Sequence, residues 1–271
     1  MELEQSFIAL IEQSIKTNWY LNALTDYKGI TLQYRDVARK IEKIHILLEN
    51  AGIEKGDKIA ICGRNSAHWT VTYLAVITYG AVVVPILHEF KADQVHNIVN
   101  HSEARLLFVG DQIWENLNDA AMPHLEGFIE LKDFGVPVSR SEKLAYARDH
   151  LNEIFGHKFP CQFRPDDISY EKEKSEDLAI INYTSGTTGY SKGVMLPYRS
   201  ILSNVLYCKE KIGLKAGDSV VTMLLLGHVF GMTFDFLYGF RAGAHLLFLT
   251  CMISPKLIAV SFAEIRPHVI A

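Results

Sequence analysis

Short apolar runs alternate with segments of helical spacing between residues 58 and 109. A run of four to eight apolar residues bounded by turn signals is typical of a buried strand, and apolar residues three and four apart indicate a helix. The pattern predicts, in order, a strand at 58–62, a helix at 66–79, a strand at 81–85, a helix at 93–101 and a strand at 105–109. Gly80 is placed to end the first of these helices in the left-handed conformation that favours glycine.

The predicted order is βαβαβ, and the strands are continuously apolar rather than alternating. Such strands are buried on both faces, which is typical of a mostly parallel sheet covered by helices. The pattern therefore predicts an α/β fold. Residues 110–165 give weaker signals, with a strand at 128–131 and one helix at 141–155, and the rest of that stretch stays unassigned.

A polar stretch interrupts the apolar pattern at 166–177, where eight of twelve residues are charged. We interpret it as an exposed connector. It divides the chain into a first α/β subdomain, 1–165, and a second, 178–271. In the second we expect strands at 178–183, 193–196, 219–226 and 244–249 and helices at 197–211 and 230–240.

Composition excludes several classes of protein. With 49% hydrophobic and 21% charged residues among 271, the chain is neither disordered nor collagen-like. The net charge is -4 and no run of Lys or Arg is present, so we expect no nucleic-acid partner. Any polyanionic ligand must be held by a local site.

Cysteine spacing and the apolar segments indicate the cellular compartment of the protein. Four widely spaced cysteines form no CxxC pair and no dense framework, which predicts buried thiols in a reducing, cytoplasmic setting. They are Cys62, Cys161, Cys208 and Cys251. The apolar stretch 229–249 contains Asp235 and Arg241, each costing roughly 2.5 to 3.5 kcal/mol near a bilayer centre, so we expect no transmembrane segment.

The chemistry is concentrated in 183–193, YTSGTTGYSKG. Gly186 and Gly189 allow the main chain to approach a ligand and turn its N–H groups inward, as anion-binding loops do. Lys192 adds a mobile positive charge. Hydroxyl donors accompany them at Thr184, Ser185, Thr187 and Thr188. The composition favours a phosphate-binding loop.

Two other kinds of loop share part of this composition. The P-loop G-x-x-x-x-G-K-[ST] fails in register, because Ser191 stands where its second glycine belongs and Gly193 where its Mg²⁺-binding hydroxyl belongs. A P-loop also opens directly into a helix, whereas residues 194–196 predict a strand before the helix. The other interpretation is a polar hairpin loop without a ligand.

The ordered string TSGTTG-x-x-KG after an apolar strand resembles the phosphate-loop signature of the adenylate-forming, AMP-binding superfamily. That superfamily comprises acyl-CoA synthetases, luciferases and nonribosomal peptide adenylation domains. The strings GDKIAICGRNSAHW, YGAVVVPI and LLLGHVFG resemble further segments of the same fold. One departure is Ser191, where the family commonly has proline; this frees the loop main chain and leaves its donors in place.

The resemblance implies a two-step ligase reaction. A carboxylate attacks the α-phosphate of ATP, releasing pyrophosphate, and the thiol of coenzyme A then attacks the acyl-adenylate. It implies that Thr184, Ser185, Gly186, Thr187, Thr188, Gly189 and Lys192 hold the β- and γ-phosphates. It further implies that Thr184 lies near Mg²⁺ and that His228 lies beside the acyl pocket and nucleotide as a positioning residue. From position alone a core histidine is the favoured interpretation of His228, and the resemblance reverses that preference.

The substrate is less narrowly indicated. GVMLPYRSILSNV and LLLGHVFG resemble long-chain fatty acid-CoA ligases, which act in fatty acid metabolism, more than peptide-synthetase adenylation domains. Apolar residues at 230, 232, 234, 236 and 237 fit either an acyl tunnel or ordinary core. Acyl chain length and oligomeric state stay open.

The family's adenine-stacking Tyr-Gly-x-Thr-Glu segment, ribose-binding aspartate and C-terminal lysine are not in this sequence. We therefore expect an N-terminal fragment, without the C-terminal domain, that is inactive alone. The alternatives are a short non-catalytic chain that binds nucleotide or a protein partner, and another adenylate-forming enzyme such as a peptide-synthetase adenylation domain.

Overall fold

The computed structural model describes residues 5–184, 191–250 and 254–270. Its strands are β1 (Asn22–Asp26), β2 (Thr31–Gln33), β3 (Lys58–Cys62), β4 (Val82–Ile86), β5 (Leu106–Val109), β6 (Gly127–Glu130), β7 (Val138–Ser139), β8 (Leu178–Thr184), β9 (Lys192–Pro197), β10 (Ser219–Thr222), β11 (His245–Phe248) and β12 (Val269–Ile270). The helices are α1 (Phe7–Thr17), α2 (Tyr34–Asn50), α3 (Ala67–Thr78), α4 (Ala92–Ser102), α5 (Asp111–Trp114), α6 (Glu142–Asp149), α7 (Leu151–Lys158), α8 (Tyr198–Ile212), α9 (Val229–Gly231), α10 (Gly239–Arg241) and α11 (Pro255–Ile265), with a π-helix (Met232–Tyr238) joining α9 to α10.

Seven strands form the larger sheet in the order β7-β6-β5-β3-β4-β8-β9. Strands β3, β4, β5, β6 and β8 run parallel, and the edge strands β7 and β9 are antiparallel to their neighbours. Two separate apolar clusters pack on its two faces, as the continuously apolar strands require. The α/β prediction is confirmed.

The second sheet has five strands in the order β12-β10-β11-β1-β2. Strands β12, β10, β11 and β1 are parallel, and β2 is antiparallel to β1. N-terminal strands thus pair with strands from the end of the chain, while β8 and β9 belong to the other sheet. Sheet membership does not follow the division at 166–177, and the placing of the subdomains stays a prediction.

Residues 110–165 resolve into short elements. The helix predicted at 141–155 is wrong as a single helix, since α6 ends before His150 and α7 begins after it. His150 has φ -107° and ψ 18°, outside helical geometry, and its N–H still bonds to the Tyr146 carbonyl. The break turns the chain so that both short helices pack on α2.

The charged connector is tied to the first helix. The Glu173 carboxylate accepts hydrogen bonds from Ser6 Oγ and from the main-chain N–H of Phe7 and, at 3.2 Å, of Ile8. The Tyr170 N–H donates to Glu12 Oε2 at 2.9 Å. Because the first N–H groups of a helix have no partner within it, Glu173 completes the start of α1.

The structure bears on two expectations from composition, the burial of the cysteines and the membrane-spanning segment. Cys62 and Cys208 are buried, but Cys161 is exposed, in a bend after α7, so the prediction of a buried thiol was wrong there; Cys251 lies outside the described residues. Within 5–184, 191–250 and 254–270, the length and apolarity that a membrane-crossing helix needs are not found together in any helix.

Candidate functional site

The hairpin of β8 and β9 carries the predicted phosphate loop. Thr184, the last residue of β8, is the Cα partner of Lys192, the first residue of β9. Both residues are exposed, and as cross-strand partners they lie side by side at the end of the hairpin strands. The predicted loop residues Ser185, Gly186, Thr187, Thr188 and Gly189 lie outside the described residues.

Local packing explains the glycine after Lys192. Gly193 is the cross-strand partner of Tyr183, and a Cβ at 193 would lie 2.9 Å from Ile181 Cγ2 and 3.2 Å from Tyr183 Cζ. The Tyr183 hydroxyl in turn lies 2.6 Å from Nδ1 of His101 on α4, with the two rings edge to face. The aromatic side chain therefore covers the glycine and fixes the base of the loop.

His228 lies in a segment that leaves the second sheet earlier than predicted. The strand expected at 219–226 ends at Thr222, so its second half was wrongly assigned. His228 is exposed and caps α9, its Nδ1 accepting a hydrogen bond from the Phe230 N–H at 3.2 Å. Because Nδ1 accepts, a neutral imidazole carries its proton on Nε2, which leaves Nε2 as a donor toward a ligand.

Two asparagines explain why residues 223–228 leave the sheet. Asn65 Nδ2 donates to the Leu224 carbonyl at 2.7 Å, and the Leu226 N–H donates to Asn65 Oδ1 at 3.0 Å. Asn182, buried in β8, donates from Nδ2 to the Gly227 carbonyl at 3.0 Å. The main chain that would continue β10 is hydrogen-bonded to side chains instead, and the segment before His228 is joined to the strand that ends at Thr184.

Asp235 is the third side chain that is hydrogen-bonded to this segment. Its Oδ2 accepts from the Leu224 N–H at 3.1 Å, and its Oδ1 has no partner among the described residues. The side chain is buried in the π-helix, a form that often marks functional sites. Burial raises the pKa of Asp235 from its ordinary value of 3.8 to about 6, against the opposing effect of the Leu224 and Met223 N–H groups.

A crevice opens at the carboxyl ends of the parallel strands, where α/β sheets bind ligands. The cavity measures about 880 Å³, and its polar lining includes Arg64, Asn65, His88, Lys91 and Asp111. Burial, followed by the charge of Arg64, lowers the pKa of His88. Asn65 thus contacts this crevice and the His228 segment together.

The apolar residues after His228 divide by exposure. Met232, Phe236 and Leu237 are fully buried and belong to the core. Phe230 is 53% exposed, and its ring centroid lies 4.4 Å from that of the half-buried Phe234. Of the five apolar residues considered for an acyl tunnel, Phe230 and Phe234 are therefore the two that are not fully buried.

Sequence reasoning did not single out Asn65 or Asn182, and it gave Asp235 no role. A polar residue inside an apolar run is the available signal at Asn182 and Asp235, and a turn after a buried strand is the signal at Asn65. In the described ranges no three His, Cys, Asp or Glu side chains are grouped as a metal site.

Comparisons with known proteins bear on the whole chain. The family model for AMP-binding enzyme matches residues 12–271. The chain is 28% identical over 240 residues to the human long-chain-fatty-acid–CoA ligase ACSBG2, covering 88% of this chain and 35% of that protein. It is 25% identical over 210 residues to tyrocidine synthase 3 of Brevibacillus parabrevis, covering 78% of this chain and 3% of that one.

The fold is shared with the crystal structure of the anthranilate CoA ligase AuaEII in complex with anthranoyl-AMP. The TM-score is 0.81 at 18% identity, covering 99% of this chain and 48% of that one. The chain spans about a third of the length of the human ligase. Because the family model matches nearly the whole sequence, the chain belongs to the family of AMP-binding enzymes.

Proposed function

We propose that this chain forms the ATP-phosphate-binding part of an acid–thiol ligase that activates a long-chain fatty acid. The fatty-acid carboxylate would attack the α-phosphorus of ATP and displace pyrophosphate. The thiol of coenzyme A would then attack the acyl carbonyl of the adenylate and displace AMP. The residues of this chain bind and orient, which is where most of the barrier reduction in such transfers arises.

One observation carries the proposal. Thr184 and Lys192 stand together at the base of the loop, and Asn182, on the same strand as Thr184, is hydrogen-bonded to the segment that ends in His228. A triphosphate at the loop and a carboxylate near His228 would thereby be held by two chain segments that this hydrogen bond joins. The Lys192 ammonium would neutralise the phosphates, and His228 Nε2 would donate to an oxygen of the reacting groups.

Mg²⁺ fits this arrangement in a limited way. It takes few protein ligands when a nucleotide supplies phosphate oxygens, and the exposed Thr184 hydroxyl is one suitable oxygen. The ion would neutralise charge on the displaced pyrophosphate. We assign it no further protein ligand.

The proposed fatty-acid substrate is supported by the similarity to the human long-chain ligase and by the exposed Phe230, which packs on the half-buried Phe234 next to His228. The second candidate is activation of an amino acid, which the similarity to tyrocidine synthase 3 favours. The two substrates differ in the group beside the carboxylate, which is an apolar chain in a fatty acid and an ammonium group in an amino acid.

Phosphate binding is tested first, by titrating the 271-residue chain with ATP and Mg²⁺ in a calorimeter. Lys192→Ala should weaken binding about tenfold, because one charge-assisted phosphate contact is lost. Lys215→Ala is the matched control, since it also removes one exposed lysine. Equal affinities of the two variants would exclude the assigned role of Lys192.

Substrate class is tested with two unreactive adenylate mimics, one palmitoyl and one phenylalanyl. We expect the palmitoyl mimic to bind more tightly, and Phe230→Ser to reduce that preference while leaving ATP affinity unchanged. Tighter binding of the phenylalanyl mimic would favour the amino-acid candidate. Failure of both mimics with intact ATP binding would leave a nucleotide-binding chain without acyl activation.

A further inference from the structure

A second cavity lies between α2 and the helices α6 and α7. Its volume is about 470 Å³, within the range of small-molecule sites. The lining has apolar residues, Leu32, Ile44, Leu47, Phe134 and Leu151, and cationic ones, Arg39, Lys40, Lys43 and Arg148. None of the residues of the proposed phosphate site lines it.

The four cations have no carboxylate partner. In the described part of the chain, none of them lies within 4 Å of a carboxylate oxygen, although three aspartates share the lining. Asp36 Oδ2 accepts the Gln33 N–H at 3.0 Å, and Asp133 Oδ1 accepts the Gly135 N–H at 2.7 Å. The third aspartate, Asp149, is exposed at the rim.

The cations also repel one another in a partly dehydrated setting. Burial lowers the pKa of Lys40, and the nearby charge of Lys43 lowers it further, while Asp36 opposes the shift. Burial and then the charge of Arg39 lower the pKa of Lys43. A bound anion would offset this repulsion.

Arg148 adds an unsatisfied donor. Its Nε is buried, and no acceptor for it is present among the described residues. Buried N–H groups without a partner are rare in folded proteins, and an ion or water that completes them is a common explanation. An anion would provide this acceptor if the Arg148 side chain turned its Nε toward the cavity.

Phe134 gives the wall an unusual main-chain geometry. Its φ is 60°, in the left-handed region that a bulky residue seldom adopts, although the side chain is buried. The Lys40 ammonium lies 5.5 Å from the centre of its ring. Strained residues held by their surroundings are concentrated at ligand sites, because there the strain fixes a side chain in place.

We propose that this cavity binds a small molecule carrying a diphosphate group. One guanidinium group can bind two phosphate oxygens at once, and Arg39 and Arg148 each supply one such group. Lys40 and Lys43 add compact positive charges. The site is separate from the phosphate loop, so it stands whether or not the proposed function is correct.

The test is calorimetric titration of the Lys192→Ala chain with inorganic pyrophosphate, and separately with ADP, at low ionic strength. The Lys192 substitution weakens the proposed loop site and leaves the cavity intact. We expect one bound pyrophosphate, and a loss of at least about tenfold in affinity when Lys40→Gln and Lys43→Gln are added. Tighter binding of ADP than of pyrophosphate would identify a nucleotide, and the reverse a free diphosphate.

The control adds Lys143→Gln and Lys215→Gln, which remove the same charge from exposed positions outside the cavity. An equal loss in this control, or no pyrophosphate binding to the Lys192→Ala chain, would overturn the proposal. Arg39→Gln guards against misfolding, because Arg39 is exposed, and it should weaken binding several-fold without changing thermal unfolding. Unchanged affinity in that variant would also contradict the site.

Discussion

At the scale of single residues, the buried surroundings of Asp235 disfavour its ionised form. It is fully buried, one carboxylate oxygen has no partner among the described residues, and the other caps the Leu224 N–H. The N–H contact needs an acceptor, which a carboxyl oxygen supplies in either protonation state. The protonated form keeps that contact without a buried charge.

This setting predicts a pH-dependent effect of Asp235→Asn. Because the folded-state pKa is raised to about 6, the contribution of Asp235 to stability is full below 3.8 and is lost as pH rises through about 6. Asparagine does not titrate. Between pH 4 and 7 the stability of wild type relative to the variant should therefore fall by up to about 3 kcal/mol.

Urea unfolding of both proteins at pH 4 and pH 7 measures this change. Asp149→Asn is the control, since that carboxylate is exposed. A difference between wild type and Asp235→Asn that stays constant with pH would refute the assigned cause.

Gly193 is a position where a single added carbon atom should change stability. An added Cβ would lie 2.9 Å from Ile181 Cγ2, so Gly193→Ala should destabilise the hairpin by about 1 to 3 kcal/mol. Gly156→Ala is the matched control, because nothing lies within 4 Å of that position in α7 and alanine favours helix. Thermal unfolding compares them, and equal melting temperatures would argue against the close contact at 193.

At the scale of elements, the charged connector acts on α1. Glu173 accepts hydrogen bonds at the start of that helix, where a negative charge also interacts favourably with the helix dipole. Glu173→Ala should lower stability by about 1 kcal/mol. Glu171→Ala, which removes an exposed carboxylate paired with Lys55, should change it little.

Chemical denaturation of the two variants distinguishes these cases. Equal losses of stability would mean that the net charge of the connector matters and that the cap at the start of α1 does not.

Helix α2 is an element that the sequence pattern did not predict. Its 17 residues pack on α3, α6 and α7.

At the scale of the molecule, we expect the proposed reaction to depend on contacts outside these 271 residues. The adenine, ribose and C-terminal lysine contacts implied by the family resemblance belong to segments not in this sequence. Transition-state binding is spread over all of them. With ATP, Mg²⁺, coenzyme A and palmitate, we expect the 271-residue chain to release no AMP or pyrophosphate and to form no thioester; sustained turnover would contradict this.

The sequence by itself determined the features that depend on neighbouring residues. Continuous apolar runs predicted β3, β4, β5 and β8, since burial on both faces leaves no polar alternation. The order of hydroxyls, glycines and lysine in 183–193 indicated phosphate binding and family membership. Each rests on spacing within about a dozen residues, which a single sequence displays.

The tertiary structure alone decided which sheet each strand joins and where β10 ends. Strands β1 and β11 pair across more than two hundred residues, and Asn65 bonds to Leu224 across 159. Any two apolar strands can pair in a sheet, so the sequence of a strand does not specify its neighbour. The neighbour is fixed when the whole chain packs and buries both strands. Likewise, Leu224 and Leu226 fit a strand by sequence, and the hydrogen bonds that draw their main chain out of it come from the distant Asn65 and the buried Asp235.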